Sequence, residues 1–365
     1  MVVKGKWGSA ACAVALTAVT VLAAGCSSSS GSSSANSIAD NLPTNYGPAE
    51  TTTLNVGAVP AMDSAGFFVA LNEGFFGREG LTINYTPATS SETAISQQLA
   101  GQLQVSAGNY VSYIAAASAG APLEVISEGS VMQQGAQTIF VMPNSHITSL
   151  AQLKGKLVGV NAPNNIDYLL DASVLQENGI NPDAVRFPTA KDKDFAKTGG
   201  VIPFPSMAGA LQSGEIAAAT LPEPFATLAE QQDGAIPLTD LNQGATTDFP
   251  IEGYVVTKAW AAKNPNTLQR FLAALSAGQE IADTNRAEVE KAFEDIGSPQ
   301  KGQVPPSIAA VMALDTYPIG VDQDRLQRVA NVMHQFGLLT NPYNVSSMLL
   351  PSSAFNFSPF SAPGS

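Results

Sequence analysis

Two cysteines and two histidines are all that 365 residues carry, and neither type forms a cluster. Cys12 falls in an apolar leader, so an exported chain would keep Cys26 alone, which excludes disulfide frameworks, thiol chemistry and cysteine-ligated metal sites. His146 sits in a loop and His334 in a late helical segment, away from every turn that reads as a candidate site. Basic residues are also scarce: 17 Lys and Arg stand against 30 Asp and Glu, and the formal charge of −13 becomes about −15 once Lys4 and Lys6 leave with the leader. Such a chain repels phosphate backbones and offers no footprint for nucleic acid. Gly-x-Ser-x-Gly, Walker-type and His-Glu-x-x-His sequences are absent, so hydrolase, nucleotide and metalloprotease chemistry has no motif to stand on. After the leader, no apolar run approaches the roughly 20 residues that span a bilayer.

The leader has a positive start at Lys4 and Lys6, an alanine-dominated run over 10–24, and small residues before Cys26, the three parts of a secretory signal. Its end, LAAGC over 22–26, resembles the lipobox of bacterial lipoproteins, which are cut before a cysteine whose sulfur carries a diacylglycerol. An uncleaved anchor is disfavoured because the run is too short, and plain secretion would need no thiol. Residues 1–25 are therefore expected to be a signal peptide and Cys26 the lipid attachment point, with two acyl chains giving stable anchoring to the outer face of the bacterial cytoplasmic membrane. Residues 26–50 are serine-rich and lack apolar periodicity, a flexible tether reaching on the order of 28 Å.

From about residue 51 to 350 the chain is long enough for two lobes of typical size, and 45% hydrophobic residues can fill their cores. The hydrophobic period alternates between strand and helix. Strands are predicted at 54–59, 81–85, 103–107 and 123–127, with helices at 64–71, 91–99 and 109–120 between them. A second series follows, with 138–142, a short helix at 150–155, a strand at 157–161, a helix at 165–178, then 201–203, a helix at 206–212, 216–220 and a helix after Pro222. Residues 254–256 read as a returning strand. Helices at 265–283, 286–293, 306–314 and 322–336 complete the chain. Strand–helix alternation predicts an α/β fold with parallel sheets.

Open sheets of this kind bind ligands beyond the carboxyl ends of their strands. The strand-to-helix corners are 60–64, 88–91, 108–110, 162–165, 205–207 and 221–224; they supply Asp63, Ser90, Ser91, Asn109, Tyr110, Asn164, Asn165, Ser206 and Glu223 as candidate ligand-binding residues, and Phe225 directly after the last corner is another. Any one Ser, Asn or Asp at such a corner can simply cap its own helix. Six corners aimed at one cleft, with free N–H groups and short polar side chains, argue for a ligand cradle.

These segments resemble the opening and middle of solute-binding proteins of ABC importers, in the nitrate/sulfonate/taurine and thiamine-pyrimidine group. The resemblance rests on LNVG (54–57) with DSA (63–65), VALNEGFF (69–76), EGL (79–81), LAGQL (99–103) with Gly108, GAPL (120–123), SLAQLKGKLVGV (149–160), ALQSGEIAAA (210–219) with PEPF (222–225), and GYVV (253–256). Their order spans 54–293. It implies a periplasmic-binding-protein type II fold of two Rossmann-like lobes, lobe I being 51–140 plus 253–350 and lobe II 141–252. Crossing strands would lie at 138–142 and 254–256, with 351–365 a tail. It also implies a small-molecule ligand, no cofactor, a monomer, and delivery to an ABC permease driven by a cytoplasmic ATPase. Residues 189–200, polar and charged, depart from the pattern as an insertion in lobe II.

Charge narrows the ligand. No Lys or Arg occurs in the six corners or in 128–136, while Asp63, Glu92, Glu128, Asp167 and Glu223 are acidic. Desolvating an anion there would need compensating donors. A neutral or weakly cationic molecule is expected, such as a thiamine-precursor pyrimidine, with Tyr110, Phe225 or Phe249 stacking and Asp63, Asn109, Asn164 or Glu223 hydrogen bonding. Anion binding through backbone N–H groups is the alternative. The rival classes are a pyrimidine-forming enzyme, for which no histidine or cysteine cluster is available, and a structural surface lipoprotein.

Overall fold

The structure is a computed structural model that describes residues 46–297 and 304–350. The expected signal peptide, Cys26, nearly all of the expected tether and the expected tail lie outside the described residues. Nine strands are found among the described residues: β1 (Thr53–Ala58), β2 (Thr82–Pro87), β3 (Val105–Asn109), β4 (Leu123–Val131), β5 (Gln137–Val141), β6 (Val158–Gly159), β7 (Ala218–Pro222), β8 (Ile236–Asp240) and β9 (Pro250–Thr257). They form two sheets, ordered β2-β1-β3-β9-β4 and β6-β7-β5-β8. The helices that matter for the site are α1 (Ala65–Asn72), α2 (Ser91–Leu99), α3 (Tyr110–Ser118), α4 (Ile166–Glu177), α5 (Phe204–Ser213), α6 (Phe225–Asp233), α7 (Pro265–Thr284) and α8 (Gln323–Gln335).

The architecture is α/β with two sheets, but the sheets are mixed rather than parallel. β1 pairs in parallel with β2 and β3, while β9 runs antiparallel between β3 and β4. β5 is antiparallel to both β7 and β8. The reason is the chain path: a chain that leaves one sheet for another must return, and β9 returns by inserting against the direction of its neighbours. The crossings therefore fall elsewhere than expected. Residues 138–141 lie wholly in the second sheet and 254–256 wholly in the first, and the chain passes between the sheets at 132–136 and 241–249. β3, β5 and β7 are buried along their whole length, as Val-, Ile- and Ala-containing runs covered on both faces should be.

Helix starts follow local chemistry. Ser90, Asn109 and Asn165 each accept a backbone N–H of the first turn of α2, α3 and α4, and Asp322 does the same for α8. Gly214 and Gly234 close α5 and α6 in the left-handed conformation. The long helix α7 lies directly on α1, because a Cβ at Gly278 would stand 2.3 Å from the Gly66 carbonyl oxygen. Elsewhere the expected elements shift. Residues 201–203 are not a strand but an extended lead into α5, which starts two residues earlier than read; β8 is an added strand; and 306–314 shortens to a helix at Pro306–Ala309. The 189–200 segment folds as turns held by Asp192, which accepts from the Thr189 N–H and pairs with Arg186 at 2.6 Å. Phe195 anchors it by burial in the core. No helix among the described residues is long and apolar enough to cross a membrane.

Candidate functional site

The carboxyl ends of β1 and β3, the start of α2, the β6–α4 turn, the first residue of β5 and the middle of β9 meet between the two sheets. There Asp63, Ser91, Asn109, Gln137, Asn161, Asn165, Asp167 and Glu252 line a small cavity of about 20 Å³. A second cavity of about 270 Å³ adjoins it, sharing Val59 and Phe204, and its walls are apolar: Pro60, Pro87, Ala88, Pro203, Pro205 and Phe225, with Thr89. Phe204 and Phe225 stack there with ring centroids 5.5 Å apart and planes 24° apart. The site thus has a polar end and an aromatic end.

Local bonding fixes the polar end. Ser91 Oγ accepts from both the backbone N–H and the side-chain amide of Asn109 at 2.9 Å, and Asn109 Oδ1 accepts from the Ser112 N–H. Asp167 Oδ2 accepts from the Asn161 N–H at 2.8 Å, and Glu252 Oε1 from the Ser64 hydroxyl at 2.6 Å. The antiparallel register of β9 sets Glu252 opposite Asn109, which is how a residue remote in sequence reaches the β3 corner. Burial pushes Asp63 up to about 6, against hydrogen bonds from Asp315 and Gln137. Burial likewise pushes Asp167 up to about 7, against the Asn161 N–H bond. Glu252 is held well above the carboxylate range by burial first and by Asp63 second. No Lys, Arg or His lines either cavity. Among the described residues no group of His, Cys, Asp or Glu is arranged to hold a metal ion.

The two halves of the cleft are pinned together. Asn161 Nδ2 donates to the Thr89 carbonyl at 3.0 Å, the Met62 N–H donates to the Glu223 carbonyl at 2.8 Å, and the Ala313 N–H donates to Glu223 Oε1 at 3.1 Å.

The sequence candidates divide sharply. Asp63, Ser91, Asn109 and Asn165 line the small cavity and Phe225 the large one. Ser90 is buried as the α2 cap, accepting from Thr93, and lines neither. Tyr110 is a core residue: its ring packs against the Cα of Gly253 within a buried cluster drawn from both sheets, and it lines neither cavity. Phe249 is likewise core, with the Arg328 guanidinium 5.3 Å over its ring. Asn164 is an exposed turn residue at φ 57°, and Ser206 is exposed on α5. Glu223, beside the cis Glu223–Pro224 bond, spends its carboxylate on Thr227 and Ala313 and braces the sheets rather than facing either cleft cavity. Sequence reading missed Gln137, Asn161, Phe204 and Glu252. Asn161 and Phe204 were within reach, since each lies one residue before a corner that was read.

The geometry is that of a two-sheet clamp, and a match to one family model covers 250 residues of it, 47–296. This chain belongs to the NMT1-like family. Solved structures agree on the fold of this NMT1-like protein. The alkanesulfonate-binding protein SsuA of Xanthomonas axonopodis pv. citri, bound to MOPS, matches with TM-score 0.66 at 16% identity, covering 82% of this chain and 99% of that one. The periplasmic nitrate-binding protein NrtA of Synechocystis matches with TM-score 0.63 at 16% identity, covering 82% and 85%. A Candida albicans gene product described as having the generic periplasmic binding protein structural fold matches with TM-score 0.63 at 15% identity, covering 82% and 96%. No curated protein sequence matches.

Proposed function

We propose that this NMT1-like protein is an extracytoplasmic solute-binding lipoprotein of an ABC importer, which captures a small organic molecule between its two sheets and delivers it to a permease. The observation that carries the reading is the cleft itself: a polar pocket and an aromatic slot adjoin between two sheets linked, among the described residues, by two chain crossings. Rotation about those crossings would open and close the site, and a solute touching both sheets would shift the population toward the closed form. Taken at those crossings, lobe I would comprise 51–131 plus 250–350 and lobe II 137–240, rather than the division at 140/141 and 252/253 expected from sequence. The structural relatives from Xanthomonas and Synechocystis are binding proteins, which favours binding over catalysis.

The ligand we favour is neutral or weakly cationic. Three carboxyl groups line the polar pocket with no Lys, Arg or His among them, so an anion entering it would be desolvated without a cationic partner. The sulfonate- and nitrate-binding relatives support a second reading, an anion held by backbone N–H groups. Isothermal titration with a pyrimidine and with an alkanesulfonate distinguishes them: pyrimidine binding with the sulfonate inert is expected, and the converse would sink the charge argument.

Cys26 and the serine tether would hold the trap near its permease and raise its effective concentration there. Cys26→Ser is therefore expected to leave solute affinity unchanged while releasing the protein from membranes. Retention of the variant in the membrane fraction would mean that the cysteine anchors nothing.

A further inference from the structure

The cleft carboxyl groups face one another unanswered. The Asp315 carboxyl group hydrogen-bonds to that of Asp63, and Glu252 and Asp167 add their charge to it from β9 and α4. Glu92 on α2 and Asp171 one turn along α4 face Asp167, and the Tyr254 phenol faces Glu252. Arg325, the cation on the far side of Tyr110, is committed to Glu128. Burial keeps Asp167 near 7 and Asp63 near 6, so the closed cleft holds protons close to neutrality.

Two polar atoms of the small cavity are left open. Gln137 Oε1 and Asp167 Oδ1 accept no hydrogen bond, although Gln137 is 2% exposed and Asp167 1% exposed. Buried acceptors without donors are costly, and their cavity of about 20 Å³ has room for one water-sized group. The adjoining slot of about 270 Å³ is walled by proline and phenylalanine.

Resting on the reading of the chain as a solute-binding protein, we propose that its solute is an organic cation with a compact primary ammonium head on a flat apolar body, captured in exchange for a proton held by the Asp63–Asp167–Glu252 group. The head donates N–H bonds to Asp167 Oδ1 and Gln137 Oε1, and the body lies in the slot beside the Phe204–Phe225 stack. One carboxyl O–H ionises and its proton leaves to solvent as each cation enters, so the charge inside the closed cleft stays constant. A quaternary ammonium has no N–H to offer those acceptors and is too large for the head pocket. A sulfonate has no N–H to offer those acceptors and finds no Lys, Arg or His in either cavity.

The test is calorimetric titration of the full-length chain with 2-phenylethylamine, its N,N,N-trimethyl derivative and 2-phenylethanesulfonate, in buffers of different ionisation enthalpy at pH 5.5 and 7.5. The amine is expected to bind at least about tenfold tighter at pH 7.5 than at 5.5, with about one proton released, and about tenfold tighter than the trimethyl derivative. Asp167→Asn should weaken amine binding about tenfold and flatten its pH dependence. Gln137→Lys, which supplies an ammonium group from within, should abolish amine binding while circular dichroism reports an intact fold. Amine binding without proton release, or equal binding of the trimethyl compound, overturns the exchange. Binding of the sulfonate alone overturns the cation and leaves the solute-binding reading standing. No heat from any probe, with X-ray scattering showing one unchanging shape, overturns both.

Discussion

Arg325→Ala is expected to lower the unfolding free energy by about 3 kcal/mol, because it strands a buried carboxylate. Glu128 on β4 is almost fully buried, and Arg325 holds it with two bonds of 2.9 Å, Nε to Oε2 and Nη2 to Oε1. The Asp322 N–H adds a third at 2.6 Å. Glu128 therefore fastens the start of α8 to the first sheet, with its negative charge at a helix N-terminus. The arginine side chain is 40% exposed, which places the expected loss at the lower end for a broken buried pair. Adding Glu128→Gln to Arg325→Ala should restore at least about 1 kcal/mol, since the stranded group is then neutral. Urea unfolding of the three proteins measures both steps. A loss below about 1 kcal/mol for Arg325→Ala would mean that the pair acts as an ordinary surface bridge.

The same residues show what a sequence can and cannot disclose. Element types were legible because each helix carries its own start signal, such as Ser90 or Asn165, and each buried strand its own apolar run. The acidic character of the cleft was legible too, since Asp63 sits in a corner and Asp167 two residues beyond one, and both line the small cavity. What stayed hidden depends on non-local register. Glu252 becomes a cleft residue only because β9 enters antiparallel opposite Asn109, and Gln137 only because the chain crosses between sheets just before β5. Aromatic identity was equally silent about direction. Tyr110 is the last residue of a corner, but its ring turns inward onto Gly253, a position that tolerates no Cβ because the ring occupies that space. Phe204 reads as an ordinary helix-start residue, and its place in the slot follows from its stacking on Phe225 across α5 and α6.

Between pH 5 and pH 8 the unliganded protein is expected to lose on the order of 3 kcal/mol of stability, the reverse of the usual carboxylate behaviour. Asp63 and Asp167 have their values raised by burial from 3.8 to about 6 and about 7, so the folded cleft binds protons more tightly than the unfolded chain. Their contribution is complete below pH 3.8 and disappears as pH rises through 6 and 7; Glu252 and Asp315, also raised by burial, act in the same direction. Glu50 and Asp192 have lowered values and the opposite sign, but their contributions are already present in full by pH 5. Each tenfold gain in proton affinity corresponds to about 1.4 kcal/mol, and relaxation of the cleft around its ionised groups reduces the simple sum. The double substitution Asp63→Asn with Asp167→Asn keeps acceptors for the Asn161 N–H while removing both charges. It should be more stable than the native chain by about 2 kcal/mol at pH 8 and no more stable at pH 4. Denaturation curves for the two proteins that stay parallel across this range would show that the cleft opens or hydrates enough to ionise freely. A bound cation at 100 times its dissociation constant adds about 2.7 kcal/mol. That is comparable to the loss at pH 8, so the proposed cation would do at neutral pH what protons do in acid, and replace the stabilisation that ionisation of the cleft removes.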